Sequence, residues 1–256
     1  ENKHFPVLLK ELTSIISPLY GGTFLDCTFG QGGYSRKILE KKNNKVVAID
    51  RDQDVYLYAK ELEKKYNDRF FFQNIKFSEI NKVKVKSKDL KAIIFDLGYS
   101  TNQIKDLSRG LSFNSTGKLN MQMGLNSFSC HEVISYMSEN DLYKIFKYYG
   151  EEKYSKKIAR KIAEVRKTKI INTEDLTKII DSAKKFKGYK INNSTKVFQA
   201  LRIFVNKEIS ELIKGLIHAF YLIPVGGIIA VVTFHSIEDK IVKFFFKNYS
   251  EFKNSS

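Results

Sequence analysis

Three acids and one glycine turn hold most of the chemistry that this sequence offers. In Thr23–Ser35, T-F-L-D-C-T-F-G-Q-G-G-Y-S, a short apolar run (Phe24, Leu25) closes on Asp26. It turns through Gly30-Gln31-Gly32-Gly33 into an amphipathic stretch, Tyr34–Lys42. Strand, glycine loop, helix is the opening turn of a doubly wound α/β domain. Two more apolar runs also end in acids: Lys45–Asp50, K-V-V-A-I-D, and Ala92–Asp96, A-I-I-F-D. Ligands of open α/β sheets bind outside the carboxyl ends of the strands, so Asp26, Asp50 and Asp96 are expected on one ligand edge. Asp50, soon after the glycine loop, is placed to grip the two hydroxyls of an adenosine ribose, with a helix cap or turn as its structural alternative.

The glycine spacing narrows the ligand. It is G-x-G-G rather than G-x-G-x-x-G, and a dinucleotide needs its pyrophosphate set on amides at a helix start. A ligand without phosphates does not, so an adenosine-like cation suits this edge better than NAD. S-adenosyl-L-methionine meets those terms: a ribose for Asp50, an adenine for Phe77, and an ammonium near the glycine turn and Asp26. Its sulfonium gains from nearby carboxylates.

The elements that must position these groups follow from periodicity. The apolar spacing predicts a helix over Pro6–Ile16, a charged helix over Gln53–Tyr66, a third strand at Arg69–Asn74 and a loop holding Phe77. After Asp96 comes the loop L-G-Y-S-T-N-Q, then a Gly-, Ser- and Asn-rich loop, Ser108–Asn126, with R-G-L-S-F and L-N-M-Q-M. From Ser127 to about Lys187 the pattern is helical. Ser138 caps one helix, with Asp141 completing a capping box and Gly150 ending it; Lys153–Arg166 and Glu174–Lys185 follow. A long helix over Val197–Ile223, a strand over Ile228–Phe234, His235-Ser236 and a helix over Ile237–Phe246 complete the chain. The fold class predicted is a Rossmann-like α/β domain over 1–103 and 197–256, with a loop and an all-helical domain inserted over 104–196.

The net charge is +16 over 256 residues. A surplus that one-sided points to a polyanion, nucleic acid first. The lysines of the inserted domain (Lys156, Lys157, Lys161, Lys167, Lys169, Lys184, Lys185, Lys187) are candidates to line a phosphate backbone, or a solvated helix face. Cys27 and Cys130 have no metal-ligand spacing and read as reduced thiols of a cytoplasmic protein, and the four histidines are scattered, so no metal site is predicted. The apolar stretch Ala219–Phe234 is broken by Pro224 and Gly226-Gly227 and does not read as a membrane span. No signal pattern appears in E-N-K-H-F-P.

In order along the chain, H-F-P-V-L-L, D-C-T-F-G-Q-G-G-Y-S, A-I-D-R-D, F-D-L-G-Y-S, R-G-L-S-F, Y-G-E-E, F-Q-A-L-R-I-F-V-N-K-E and F-H-S-I-E-D-K-I-V-K span His4 to Lys243. Together they resemble the bacterial small-subunit ribosomal RNA cytosine-N4 methyltransferase family, the RsmH or MraW type. The resemblance implies an S-adenosyl-L-methionine-dependent enzyme that methylates the exocyclic amine of a cytosine in the decoding region of 16S ribosomal RNA. It places cofactor contacts on Gly32, Gly33, Tyr34, Asp50, Phe77, Asp96 and Gln103. Several positions depart from the family pattern: Tyr34 stands for a histidine, Y-S-T for V-S-S, Asn120 and Gln122 for an acid and an arginine, and Lys196 for an arginine. The basic tail and final strands that the family carries beyond the last helix are not in this sequence.

A cytosine amine is a poor nucleophile, so its site must supply acceptors for the amine hydrogens, exclude water and align the methyl–sulfur bond. Asp96 and the carbonyls of Leu97-Gly98 are candidate acceptors. His235 is a candidate to take a proton or bind phosphate, or a strand-end structural residue; Ser100 and Ser236 are candidate hydrogen-bond partners. Tyr99 or Phe113 could stack on an extruded base. Two other readings stand beside the enzyme. One is a cofactor- and RNA-binding ribosome assembly protein with weak or no turnover, favoured only by the altered L-N-M-Q-M loop. The other is a nicotinamide-dependent oxidoreductase. A homodimer is the candidate self-association.

Overall fold

The computed structural model describes residues 6–16, 20–113, 115, 117–184 and 192–252; His4, Lys185 and Lys187 lie outside them. The chain forms two compact units, 1–98 with 209–256, and 99–208.

The first unit is built on a parallel sheet of β1 (Gly22–Asp26), β2 (Asn44–Ile49), β3 (Phe70–Gln73), β4 (Leu90–Asp96) and β5 (Ile228–Val232), in the order β3-β2-β1-β4-β5. The central strands β1, β2 and β4 are apolar and largely buried on both faces, as parallel strands require, while β5 is half-buried. Phe24, Val46, Ala48, Ala92 and Ile94 face one layer, with Leu12 of α1 (Leu9–Ile16), Ile38 of α2 (Gly33–Leu39) and Leu62 of α3 (Tyr56–Lys65). Their alternates Leu25, Val47, Ile49, Ile93 and Phe95 face Leu212 and Leu216 of α10 (Glu208–Leu222) and Val242 and Phe245 of α11 (Ser236–Phe252). α3 is preceded by a short 3-10 turn, Gln53–Val55, capped by the Asp52 carboxylate.

The second unit is helical: α4 (Thr101–Lys105), α5 (Cys130–Tyr136), α6 (Glu139–Gly150), α7 (Ser155–Val165), α8 (Thr173–Ala183) and α9 (Thr195–Asn206). Leu142, Phe146, Ile158, Ile162, Leu176, Ile180, Val197 and Leu201 make its core. In the preceding loop Leu119, Met121 and Met123 alternate into the same core.

Two expectations change. The long helix over Val197–Ile223 is two helices. Lys207 takes a left-handed conformation (φ 53°) and its N–H turns back to the Ile203 and Phe204 carbonyls. The apolar spacing runs straight through the break, and no glycine marks it, so the sequence gives no stop signal. The unit boundaries therefore fall at 98/99 and 208/209, rather than 103/104 and 196/197. α9 goes with the helical unit because Val197, Phe198, Leu201 and Val205 bury in its core. As expected, α6 ends at Gly150, and the left-handed cap is Glu151 (φ 47°). What requires glycine there is α9: a Cβ on Gly150 would lie 2.5 Å from the Lys196 carbonyl oxygen.

Candidate active site

From β1 the chain runs outward to β2 and β3 on one side, and β4 and β5 lie on the other. That reversal between β1 and β4 opens a crevice at their carboxyl ends, the usual ligand site of such sheets. Asp26 and Asp96 end these two strands and Asp50 follows β2.

Asp26 is fully buried. Its Oδ2 accepts the Ser35 hydroxyl at 2.6 Å and its Oδ1 the Thr28 N–H at 3.3 Å. Burial still pushes its carboxyl up to about 6. The Thr28 hydroxyl in turn accepts the Asp96 N–H at 2.7 Å, tying the end of β4 to the loop after β1. Asp50 accepts the Gly30 N–H on Oδ2 and the Asp52 N–H on Oδ1, both at 2.8 Å. About two of its four lone-pair positions stay open. Burial raises its carboxyl to about 6, against those two bonds.

Asp96 stands apart. Its Oδ1 is buried and has no hydrogen-bond partner among the described residues. Burial first, and then the charge of Asp26, raises its carboxyl to about 7. No basic side chain offsets any of the three acids among the described residues. The edge thus holds uncompensated negative charge, which repels a pyrophosphate and attracts a cation. One unit charge at about 5 Å is worth about 3 kcal/mol at an effective dielectric of 20.

The glycines divide by role. A Cβ on Gly30 (φ 54°) would meet nothing nearer than the Thr28 carbonyl oxygen at 4.0 Å, so this turn faces open space. Gly32 (φ 79°) is pressed by the Phe29 ring, 2.8 Å from a Cβ built there, and Gly33 by Pro6, 2.3 Å away. The Tyr34 ring is buried and its hydroxyl donates to the Val7 carbonyl at 2.7 Å. Phe77 is half-buried and packs edge-on against Phe95, with centroids 5.6 Å apart. The Nδ1 of His235 accepts the Glu238 N–H at 3.4 Å. Its buried Nε2 lies 3.1 Å from Glu238 Oε1 without the alignment of a hydrogen bond. The imidazole thus contacts Glu238 at the start of α11.

The MraW methylase family profile matches residues 1–255 of the chain. The chain belongs to the MraW methylase family. It is a methyltransferase, which sets the hydride-transfer reading aside. This MraW methylase is 42% identical over 250 residues to the Ribosomal RNA small subunit methyltransferase H of Ehrlichia ruminantium (strain Welgevonden), covering 95% of this chain and 83% of that one. It is also 42% identical over 249 residues to the protein of the same name from Rickettsia massiliae, covering 97% and 81%. A solved Streptococcus mutans protein in complex with SAH overlaps 36% of this chain and 53% of its own, at 23% identity and a TM-score of 0.30. As a member of this family the methylase draws on S-adenosyl-L-methionine, and the open glycine turn with its three unbalanced carboxylates fits that sulfonium nucleoside.

In the helical unit of the methylase, Ser100 and Gln103 close a capping box at α4: Gln103 Oε1 accepts the Ser100 N–H at 2.8 Å, and Ser100 Oγ the Gln103 N–H at 3.2 Å. Phe113 packs edge-on against Phe198, with centroids 6.3 Å apart. The Tyr99 ring is 43% exposed, and the Arg202 guanidinium lies 4.9 Å from its centroid. Arg202 is held by a two-point ion pair with Glu208, at 2.9 and 3.0 Å. Asn206 is buried and clamps the L-N-M-Q-M loop: it donates to the Met121 carbonyl and accepts the Met123 N–H, both at 2.8 Å. Lys161, Lys169 and Lys184 are engaged by Ser182, Asp175 and Glu152, while Lys156, Lys157 and Lys167 are exposed.

Sequence reasoning missed Thr28, Phe234 and Glu238. Thr28 lies inside the glycine motif, and its hydroxyl was readable as a polar group in an apolar loop. The other two lie in F-H-S-I-E, on either side of His235.

Proposed function

We propose that this methylase transfers a methyl group to the exocyclic N4 amine of a cytosine in small-subunit ribosomal RNA, in the cytoplasm. The observation that carries the reading is Asp96 at the switch point, a half-buried acid whose Oδ1 has no hydrogen-bond partner among the described residues. The names of the Ehrlichia and Rickettsia relatives support the RNA class. Bound S-adenosyl-L-methionine supplies an electrophilic methyl. Asp50 offers its remaining lone pairs to the ribose hydroxyls, and Gly30 leaves room for the cofactor. The Asp96 carboxylate accepts one amine hydrogen, which orients the nitrogen lone pair for attack. With its carboxyl near neutrality, Asp96 is matched to receive the proton that the amine sheds. Exposed lysines such as Lys156 and Lys157 on α7 hold the phosphate backbone.

The test is tritiated methyl transfer to small ribosomal subunits lacking the modification, followed by nucleoside analysis. N4-methylcytosine is expected, and Asp96→Asn should slow its formation about 100-fold or more. Label on another base, on a ribose hydroxyl or nowhere overturns the reading.

A further inference from the structure

At the carboxyl end of β5 a phenyl ring is left in the open. Phe234 is 53% exposed, although it belongs to the sheet-bearing unit and follows a half-buried apolar strand. Its position is held from several sides. Val232 pairs with Asp96 in the β4–β5 register, and the Leu97 N–H donates to the Val232 carbonyl at 3.0 Å. Gly98 takes φ 93°, and a Cβ built on it would lie 3.4 Å from Phe234 Cδ2, so the ring rests on the backbone just past Asp96. Behind it, Glu238 Oε2 accepts the Phe234 N–H at 2.9 Å. Glu238 is itself 3% exposed and braced by His235. A buried carboxylate that accepts this N–H fixes the backbone that carries the ring. Two residues before Gly98 comes Asp96, a half-buried acid whose Oδ1 has no hydrogen-bond partner among the described residues.

We infer that Phe234 is a substrate-binding residue. Its exposed ring is the surface on which the target pyrimidine lies, holding the exocyclic amine at Asp96, while Glu238 positions the ring through the backbone. The inference rests on the proposed function and adds the base-docking surface. A cytosine is small, with one flat face and one reacting edge. Stacking fixes its plane, and the carboxylate then fixes its edge. An aromatic face is worth about 1–3 kcal/mol per stacked base, or about 5- to 150-fold in affinity.

Phe234→Leu keeps an apolar side chain but removes the π face; Phe234→Tyr restores the face. For Phe234→Leu, kcat/KM on unmodified subunits should fall between about 5- and 150-fold. Its S-adenosyl-L-methionine affinity by calorimetry should stay within about twofold of wild type, which also shows that the unit is folded. Phe234→Tyr should return to within about threefold of wild type. The inference is overturned if Phe234→Leu transfers as fast as wild type, if Phe234→Tyr falls as far as Phe234→Leu, or if cofactor affinity drops in parallel. A wild-type chain that methylates no cytosine sinks the functional reading and this inference with it; an active wild type matched by Phe234→Leu sinks this inference alone.

Discussion

At the scale of single residues, the site is an arrangement of carboxylates kept short of positive charge. Asp26 and Asp50 are raised to about 6 and Asp96 to about 7, all chiefly by burial. Each folded value lies above the ordinary 3.8, so the folded chain holds these protons more tightly than the unfolded chain does. Between about pH 4 and pH 7 the ligand-free protein should therefore lose stability as pH rises, the reverse of a salt-bridged acid. A cationic ligand favours the ionised carboxylates. Binding of S-adenosyl-L-methionine should release protons near pH 6–7, release none well above it, and weaken as pH falls below 6. Calorimetry in two buffers of different ionisation enthalpy measures this directly. Equal heats in both buffers at pH 6.5 would show that these acids do not sense the cofactor.

At the scale of elements, close approach decides more than propensity. α6 and α9 touch at Gly150, where a Cβ would sit 2.5 Å from the Lys196 carbonyl oxygen and 3.2 Å from Ala200 Cβ. Backbone cannot swing aside as a side chain can. Gly150→Ala should cost the helical unit about 1–3 kcal/mol through overpacking, read as a lowered urea midpoint with unchanged helix content. An unchanged midpoint would mean that the two helices can separate freely there. The α9–α10 break works the same way. Asn206 spends its amide on the Met121 and Arg202 carbonyls and on the Met123 N–H, so the loop holds α9 at that residue while Lys207 turns the chain.

At the scale of the whole molecule, charge sets the partner. A net +16 on a chain that carries three uncompensated acids at its ligand edge means that the positive charge is displaced from the cofactor site. RNA binding should weaken at least about tenfold between 50 and 200 mM salt, through counterion release. Cofactor affinity should change far less; a filter-binding series checks the first and calorimetry the second. RNA affinity indifferent to salt would argue against a phosphate-tracking surface. Among the described residues, no helix is long and apolar enough to cross a membrane, in keeping with the broken stretch at Pro224. The chain order alone determined the glycine turn, the three strand-end acids and the helical insertion, because period, turn chemistry and spacing are local properties. It could not determine which acid is satisfied. Asp50 meets the Gly30 amide and Asp26 meets Ser35, while Asp96 Oδ1 has no partner among the described residues; only the folded chain brings residues 20 or 68 positions apart within bonding distance. The break at Lys207, the contact glycine at 150 and the exposed Phe234 ring were likewise decided in three dimensions. Each depends on what a neighbouring segment leaves room for, and that is not written in the local pattern.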